Sequence, residues 1–226
     1  MTLAELTYDI REAIKEYSDD SELSDRYIQY LITIKRAKFL KQKLDRLGRK
    51  FNNRILQTLC VGLEETSVNE CGLDLECETI LRTKRPLPDL LQLSDKDAIE
   101  RVAPSNRLAK KFNYIPREKA PYLDSAYHSR GVKTFLHNDG HLYFISDSTL
   151  FLECVSVTGV FEDPLDLATF NNCCNCEDTT ENSCFDINES DYPVYIELVD
   201  MMREEIIRDI LRTKQIPEDK MNNSND

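Results

Sequence analysis

No stretch of this chain comes near the roughly 20 consecutive apolar residues that a membrane-spanning helix needs. The segment Met1–Tyr17 also lacks the apolar h-region of a secretory signal. The expected setting is therefore a reducing compartment, with no membrane partner and with the eight scattered cysteines mostly as thiols. Glycine is scarce, six residues in 226 and most of them at turn positions. That scarcity excludes a glycine-rich loop able to cradle phosphates. A nucleophile elbow and an H-E-x-x-H helix are missing too. No residue is assigned a catalytic role, and no cofactor is expected.

What the chain has in excess is acid, with a formal net charge of -12. The excess is uneven. Residues 1–62 carry 12 basic and 9 acidic groups, residues 63–162 carry 12 and 16, and residues 163–226 carry 5 and 16. Phosphate binding wants net positive surface, so nucleic acid is disfavoured as the main ligand. Such polarity suits head-to-tail contacts between copies, in which a basic face of one meets an acidic end of the next.

The basic groups concentrate on one long helix, predicted over Ser24–Leu47. Tyr27, Leu31, Ile34, Ala37, Leu40, Leu44 and Leu47 recur in steps of three and four, with Ser24 as N-cap and Gly48 as stop. The short mean step makes this stripe drift around the helix, so its two ends face different neighbours. From Lys35 to Arg54 there are nine Lys or Arg against one acid, Asp45. The same residues serve an alternative reading, an intracellular regulatory or nucleic-acid-binding module using segment 35–54. Aromatics are not interleaved there as stacking platforms would require.

Taken in order, the chain reads as α+β: an N-terminal helical hairpin or bundle containing the long helix, an antiparallel β middle region, and a C-terminal helix. Thr2 and Glu5 form a T-x-x-E capping box, after which Leu3, Leu6, Ile10, Ala13, Ile14 and Tyr17 share a face. Residues 1–59 form the helical, oligomerising region, and 60–163 the β region. Within the latter, Cys60–Glu64, Glu78–Arg82 and Leu150–Phe161 read as strands. Val132–His137 and His141–Ile145 form a hairpin around Asn138-Asp139-Gly140, a three-residue loop with a glycine bulge. Residues 164–191 form an acidic, cysteine-rich loop. Residues 192–226 are a helix, carried by Tyr195, Leu198, Val199, Met202, Ile206 and Ile210, and a polar tail after Pro217.

Metal chemistry has weak candidates. Cys173, Cys176 and Cys184 supply one C-x-x-C pair and an extra thiol, but the second pair of a structural zinc site is missing. Among the three histidines, His137 and His141 flank a tight turn and read as an exposed cross-strand pair. A small metal-dependent enzyme is thus the weakest class.

Several segments together resemble the head-to-tail connector ring, or adaptor, proteins of crAss-like short-tailed bacteriophages. They are Leu3–Ile10, Ile80–Lys84, Asp97–Val102, Tyr114–Tyr122 and Phe135–Tyr143, spanning roughly residues 1–163. The resemblance implies a non-enzymatic virion protein that assembles in the host cytoplasm. Twelve copies would form a ring in the portal–tail connector, in contact with the portal and with other ring and tail proteins. Genome DNA would pass through the lumen without sequence-specific binding, and an acidic lumen would let it slide. The surfaces expected to meet other subunits are Tyr27, Leu31, Ile34, Lys35, Lys38, Lys41 and Leu44 on the long helix, and Tyr195, Leu198 and Met202 on the C-terminal one.

Overall fold

The computed structural model describes residues 1–17, 23–46, 51–67, 79–94, 96–105, 110–122, 134–145, 152–170 and 190–214. Gly48, Cys71, Cys77, His128, Cys173, Cys176, Cys184 and the tail after Pro217 lie outside the described residues. The chain is α+β: three helices, α1 (Leu3–Tyr17), α2 (Asp25–Arg46) and α3 (Ile196–Lys214), flank a sheet built from the middle of the sequence.

Local chemistry explains the helix starts. The Thr2 N–H donates to Glu5 Oε2 at 2.8 Å and the Glu5 N–H to Thr2 Oγ1 at 3.1 Å, a reciprocal capping box. Ser24 Oγ accepts from the Tyr27 N–H at 3.3 Å, capping α2. Along α1, Leu3, Leu6, Ile10, Ala13 and Ile14 are buried as the periodicity requires. The buried row of α2 differs from the expected stripe. It is Ile28, Ile32, Arg36, Leu40 and Leu44, every fourth residue, while Tyr27 and Ile34 are exposed. A basic residue occupies the middle of that row, so a search for apolar spacing settles on the neighbouring face.

The sheet has seven strands in the order β3-β7-β1-β2-β6-β5-β4. They are β1 (Gln57–Ser67), β2 (Thr79–Thr83), β3 (Ile99–Pro104), β4 (Asn113–Tyr114), β5 (Thr134–Asn138), β6 (His141–Ile145) and β7 (Cys154–Gly159). Pairing is antiparallel except for the two-residue parallel match of β4 with β5. Strand β1 divides its pairing, its first half (Gln57–Gly62) against β7 and its second (Leu63–Ser67) against β2. The Phe112 N–H donates to the Val102 carbonyl at 2.7 Å, so the segment entering β4 meets β3 and the two ends of the strand order curl together.

The β5–β6 hairpin is tighter than the sequence suggests. Asn138 pairs with His141, and Asp139 and Gly140 have φ values of 49° and 75°, the signature of a two-residue type I′ turn. The right-handed twist of the flanking strands matches that turn, which wins over a three-residue loop with a bulge.

Two apolar cores result. One gathers the helices, with Leu6, Ile10, Ile32, Leu40, Met202 and Ile206. The other fills the curled sheet, with Leu59, Val61, Phe112, Phe135, Phe144 and Val157. The partition between them is extended chain, where successive side chains point to opposite faces. Leu91 and Val160 enter the helical core, whereas their neighbours Leu90 and Phe161 enter the sheet core. These two segments pair through the Leu90–Phe161 bridge and the Leu91 N–H to Val160 carbonyl bond of 2.9 Å. Gly159 sits where they converge, and a Cβ there would lie 2.7 Å from the Ala98 carbonyl oxygen.

Candidate interaction surfaces

The basic side chains of α2 are spent mainly inside the chain. Lys35 bridges Glu205 at 3.1 Å and also holds Asp209, Lys38 reaches Glu205 at 2.6 Å, and Lys43 pairs with Glu197. The Lys43 ammonium also lies 3.9 Å from the centroid of the Tyr195 ring, a cation–π contact. Together these residues lace α2 to α3. Burial acts to lower the Lys35 pKa, but hydrogen bonds and charge from Asp209 and Glu205 outweigh it and leave the pKa raised. The Lys38 hydrogen bond holds Glu205 below the ordinary carboxylate range, and the Lys35 hydrogen bond does so for Asp209.

Arg36 is fully buried. Its Nε donates to the Pro193 carbonyl at 2.8 Å, and Nη1 donates to the carbonyls of Phe161 at 2.7 Å and Glu162 at 3.2 Å. The guanidinium carbon stands 5.7 Å from the Tyr192 ring centroid. Burial lowers the Arg36 pKa, opposed by Tyr192 and Asp163. A planar fork of donors suits this role, because it ties several carbonyls from two segments at once.

The remaining expected interface residues divide by burial. Leu44, Tyr195, Leu198 and Met202 pack in the helical core, and Leu31 packs partly against it. Tyr27 and Ile34 are exposed at 42% and 43%, and Lys41 is exposed. Tyr30, 60% exposed, completes their strip and is absent from the expected set. Its signal lies in the i, i+3, i+7 spacing Tyr27-Tyr30-Ile34. On α3, Ile196 and Met201 are exposed at 64% and 52%, beside exposed Asp200 and Glu204.

His137 and His141 are engaged in the fold. His137 faces the Asp97 carboxylate through Nδ1, and His141 Nδ1 donates to the Thr83 carbonyl at 2.8 Å. They are not a cross-strand pair, because the type I′ turn sets His141 opposite Asn138 and His137 opposite Leu142. Cys60 keeps a thiol, whereas Cys154 is disulfide-bonded. Among the described residues no group of three or more His, Cys, Asp or Glu could hold a metal ion. No helix among them is long and apolar enough to cross a membrane.

Among the described residues, then, much of the charge on α2 is neutralised within the chain, Arg36 clamps backbone carbonyls, and α2 carries an exposed apolar strip. The chain matches the sequence profile of the family described as phage tail ring protein 2 over residues 5–226, and it belongs to that family. Ring protein 2 of Bacteroides phage crAss001 is 26% identical over 236 aligned residues, which take in 100% of this chain and 97% of that relative. The chain is thus a structural tail component of a crAss-like phage virion.

Proposed function

We propose that copies of this chain, twelve in number, close into a ring within the portal–tail connector. The ring joins the portal to the tail and forms part of the channel through which genome DNA leaves the capsid. Its partners are its own copies, the portal protein and neighbouring ring and tail proteins. DNA passes through without sequence-specific binding, and subunits assemble in the host cytoplasm. One observation carries this reading, the match to a tail ring family over residues 5–226. The net charge of -12 supports it, since an acidic channel wall offers DNA no fixed phosphate contacts to retard transit.

Cryo-electron microscopy of the connector in intact particles tests the proposal. A closed ring of this chain between portal and tail is expected. A solitary copy in the particle, or a site remote from the connector, would overturn it. The competing nucleic-acid-binding role loses four of its nine basic groups, because Lys35, Arg36, Lys38 and Lys43 are committed to contacts within the chain.

A further inference from the structure

We propose that the exposed strip of α2 and the exposed acidic ridge of α3 are the two halves of the contact between neighbouring copies. The inference rests on the ring reading and adds the surfaces that close it. A ring requires two different, complementary patches on each subunit, because a head-to-tail contact never pairs a patch with itself.

The α2 patch is Tyr27, Tyr30 and Ile34, spaced i, i+3, i+7 like one side of a helix–helix seam, with Arg26 and Lys41 exposed towards its two ends. Neither cation makes an ion pair among the described residues, in contrast to Lys35, Lys38 and Lys43. The α3 patch is Ile196, Asp200 and Glu204, spaced i, i+4, i+8, with Met201 alongside. Asp200 and Glu204 likewise find no cation among the described residues. Like charges four apart weaken a helix until an opposite charge meets them. Each patch therefore offers apolar side chains flanked by unmatched charge, basic on α2 and acidic on α3. All three helices contribute to one core, and the two patches lie on separate helices, α2 and α3, on residues left out of that core. Their opposite charge makes them complementary, and a second copy is the occupant that satisfies both patches at once.

The test is a charge swap on the full-length chain. R26E/K41E makes both patches acidic, and D200K/E204K makes both basic. In sedimentation velocity each variant alone is expected to self-associate at least tenfold more weakly than wild type. An equimolar mixture is expected to recover wild-type assembly, because unlike variants alternate around the ring. Unchanged circular-dichroism melting establishes that the variants fold. Variants that assemble as wild type does, or a mixture that recovers nothing, would overturn the surface pairing and leave ring formation standing. If the wild-type chain stays monomeric in free solution, carbodiimide cross-linking in assembled particles decides. Dimers joined through Lys41 and Asp200 or Glu204 support the pairing, and dimers joined only elsewhere overturn it. The absence of any copy-to-copy product overturns the pairing and leaves ring formation standing.

Discussion

The Arg36 guanidinium, on the buried row of α2, donates to the Phe161 carbonyl at 2.7 Å, immediately after β7. Phe161 turns its ring into the sheet core while its backbone is held from the helical side. The same guanidinium holds the Pro193 carbonyl ahead of α3. One side chain thus fixes where two helices sit on the partition between the cores. A buried apolar residue at this position would fill the space but leave those carbonyls without a donor.

Replacing Arg36 by alanine is therefore expected to cost about 3–5 kcal/mol, through lost hydrogen bonds, stranded carbonyls and a cavity. Arg36→Met restores volume but no donors, and it should stay at least about 2 kcal/mol below wild type. Arg36→Lys keeps the charge but loses the fork, so an intermediate loss is expected. Urea unfolding midpoints at constant slope give the order. A methionine variant as stable as wild type would show that the carbonyls find other donors.

The α2–α3 lacing carries a pH signature. Glu205 and Asp209 have depressed pKa values, so their contribution is complete above the unfolded value of about 4 and is lost as pH falls through the folded one. The raised pKa of Lys35 acts at the other end, its contribution lasting until pH rises through the folded value, above about 10.4. Asp166 opposes the acid effect weakly, since burial first, then Asp163 and Asp89, raises its pKa and makes its ionisation costly. Stability should thus fall below about pH 4. Glu205→Gln, which removes the carboxylate shared by Lys35 and Lys38, should cost roughly 1 kcal/mol at pH 7 after solvent screening and flatten the acid limb. Thermal melts across pH check both.

Much of this architecture is legible in the sequence where one physical signal dominates. The α3 row Leu198, Met202, Ile206, Ile210 is apolar throughout, so its period reads correctly, and the capping box of α1 is a local pattern. The α2 row is hidden because arginine occupies a core position, and burial of a charge depends on carbonyls more than 120 residues away in sequence. The Lys35–Glu205 pairing, 170 residues apart, has no local signature either, so the basic helix looks available to partners. Strand β3 escapes notice because it ends in proline and pairs with β7 across a register shift. Of the expected interface residues, spacing alone does not separate Tyr27 and Ile34, which are exposed, from Leu44 and Met202, which are core.

Gly159 offers a sharper test of the partition between the cores. It pairs with Gln57 on one side and Ile99 on the other, and the atom nearest an added Cβ is the Ala98 backbone carbonyl oxygen. Backbone in a paired sheet yields less readily than a side chain. Gly159→Ala is expected to cost about 1–3 kcal/mol as an overpacked site. Gly62→Ala, whose methyl would meet the Lys84 side chain at 3.3 Å, should cost less because that side chain can swing aside. Comparing the two melting temperatures checks the ranking, and equal losses would mean the Ala98 carbonyl moves freely.

The fate of the α2 cations also fixes how the chain should treat DNA. Lys35, Lys38 and Lys43 are paired and Arg36 is buried. From Lys35 to the end of α2, that leaves Lys41 and Arg46 exposed without an ion pair among the described residues. Two phosphate contacts give a slope of about -1.8 in log affinity against log salt, roughly a tenfold loss between 50 and 200 mM. A protein that uses a whole basic helix would show a slope several times steeper. Fluorescence anisotropy on a duplex across that salt range is expected to give weak, sequence-independent binding with the shallow slope. Lys41→Ala should reduce the slope by about one, whereas Lys35→Ala should leave it unchanged while lowering stability. A steep slope in the wild type, or one that Lys35→Ala diminishes, would mean that the ion pairs to α3 open in favour of phosphate and would return nucleic-acid binding to the leading place.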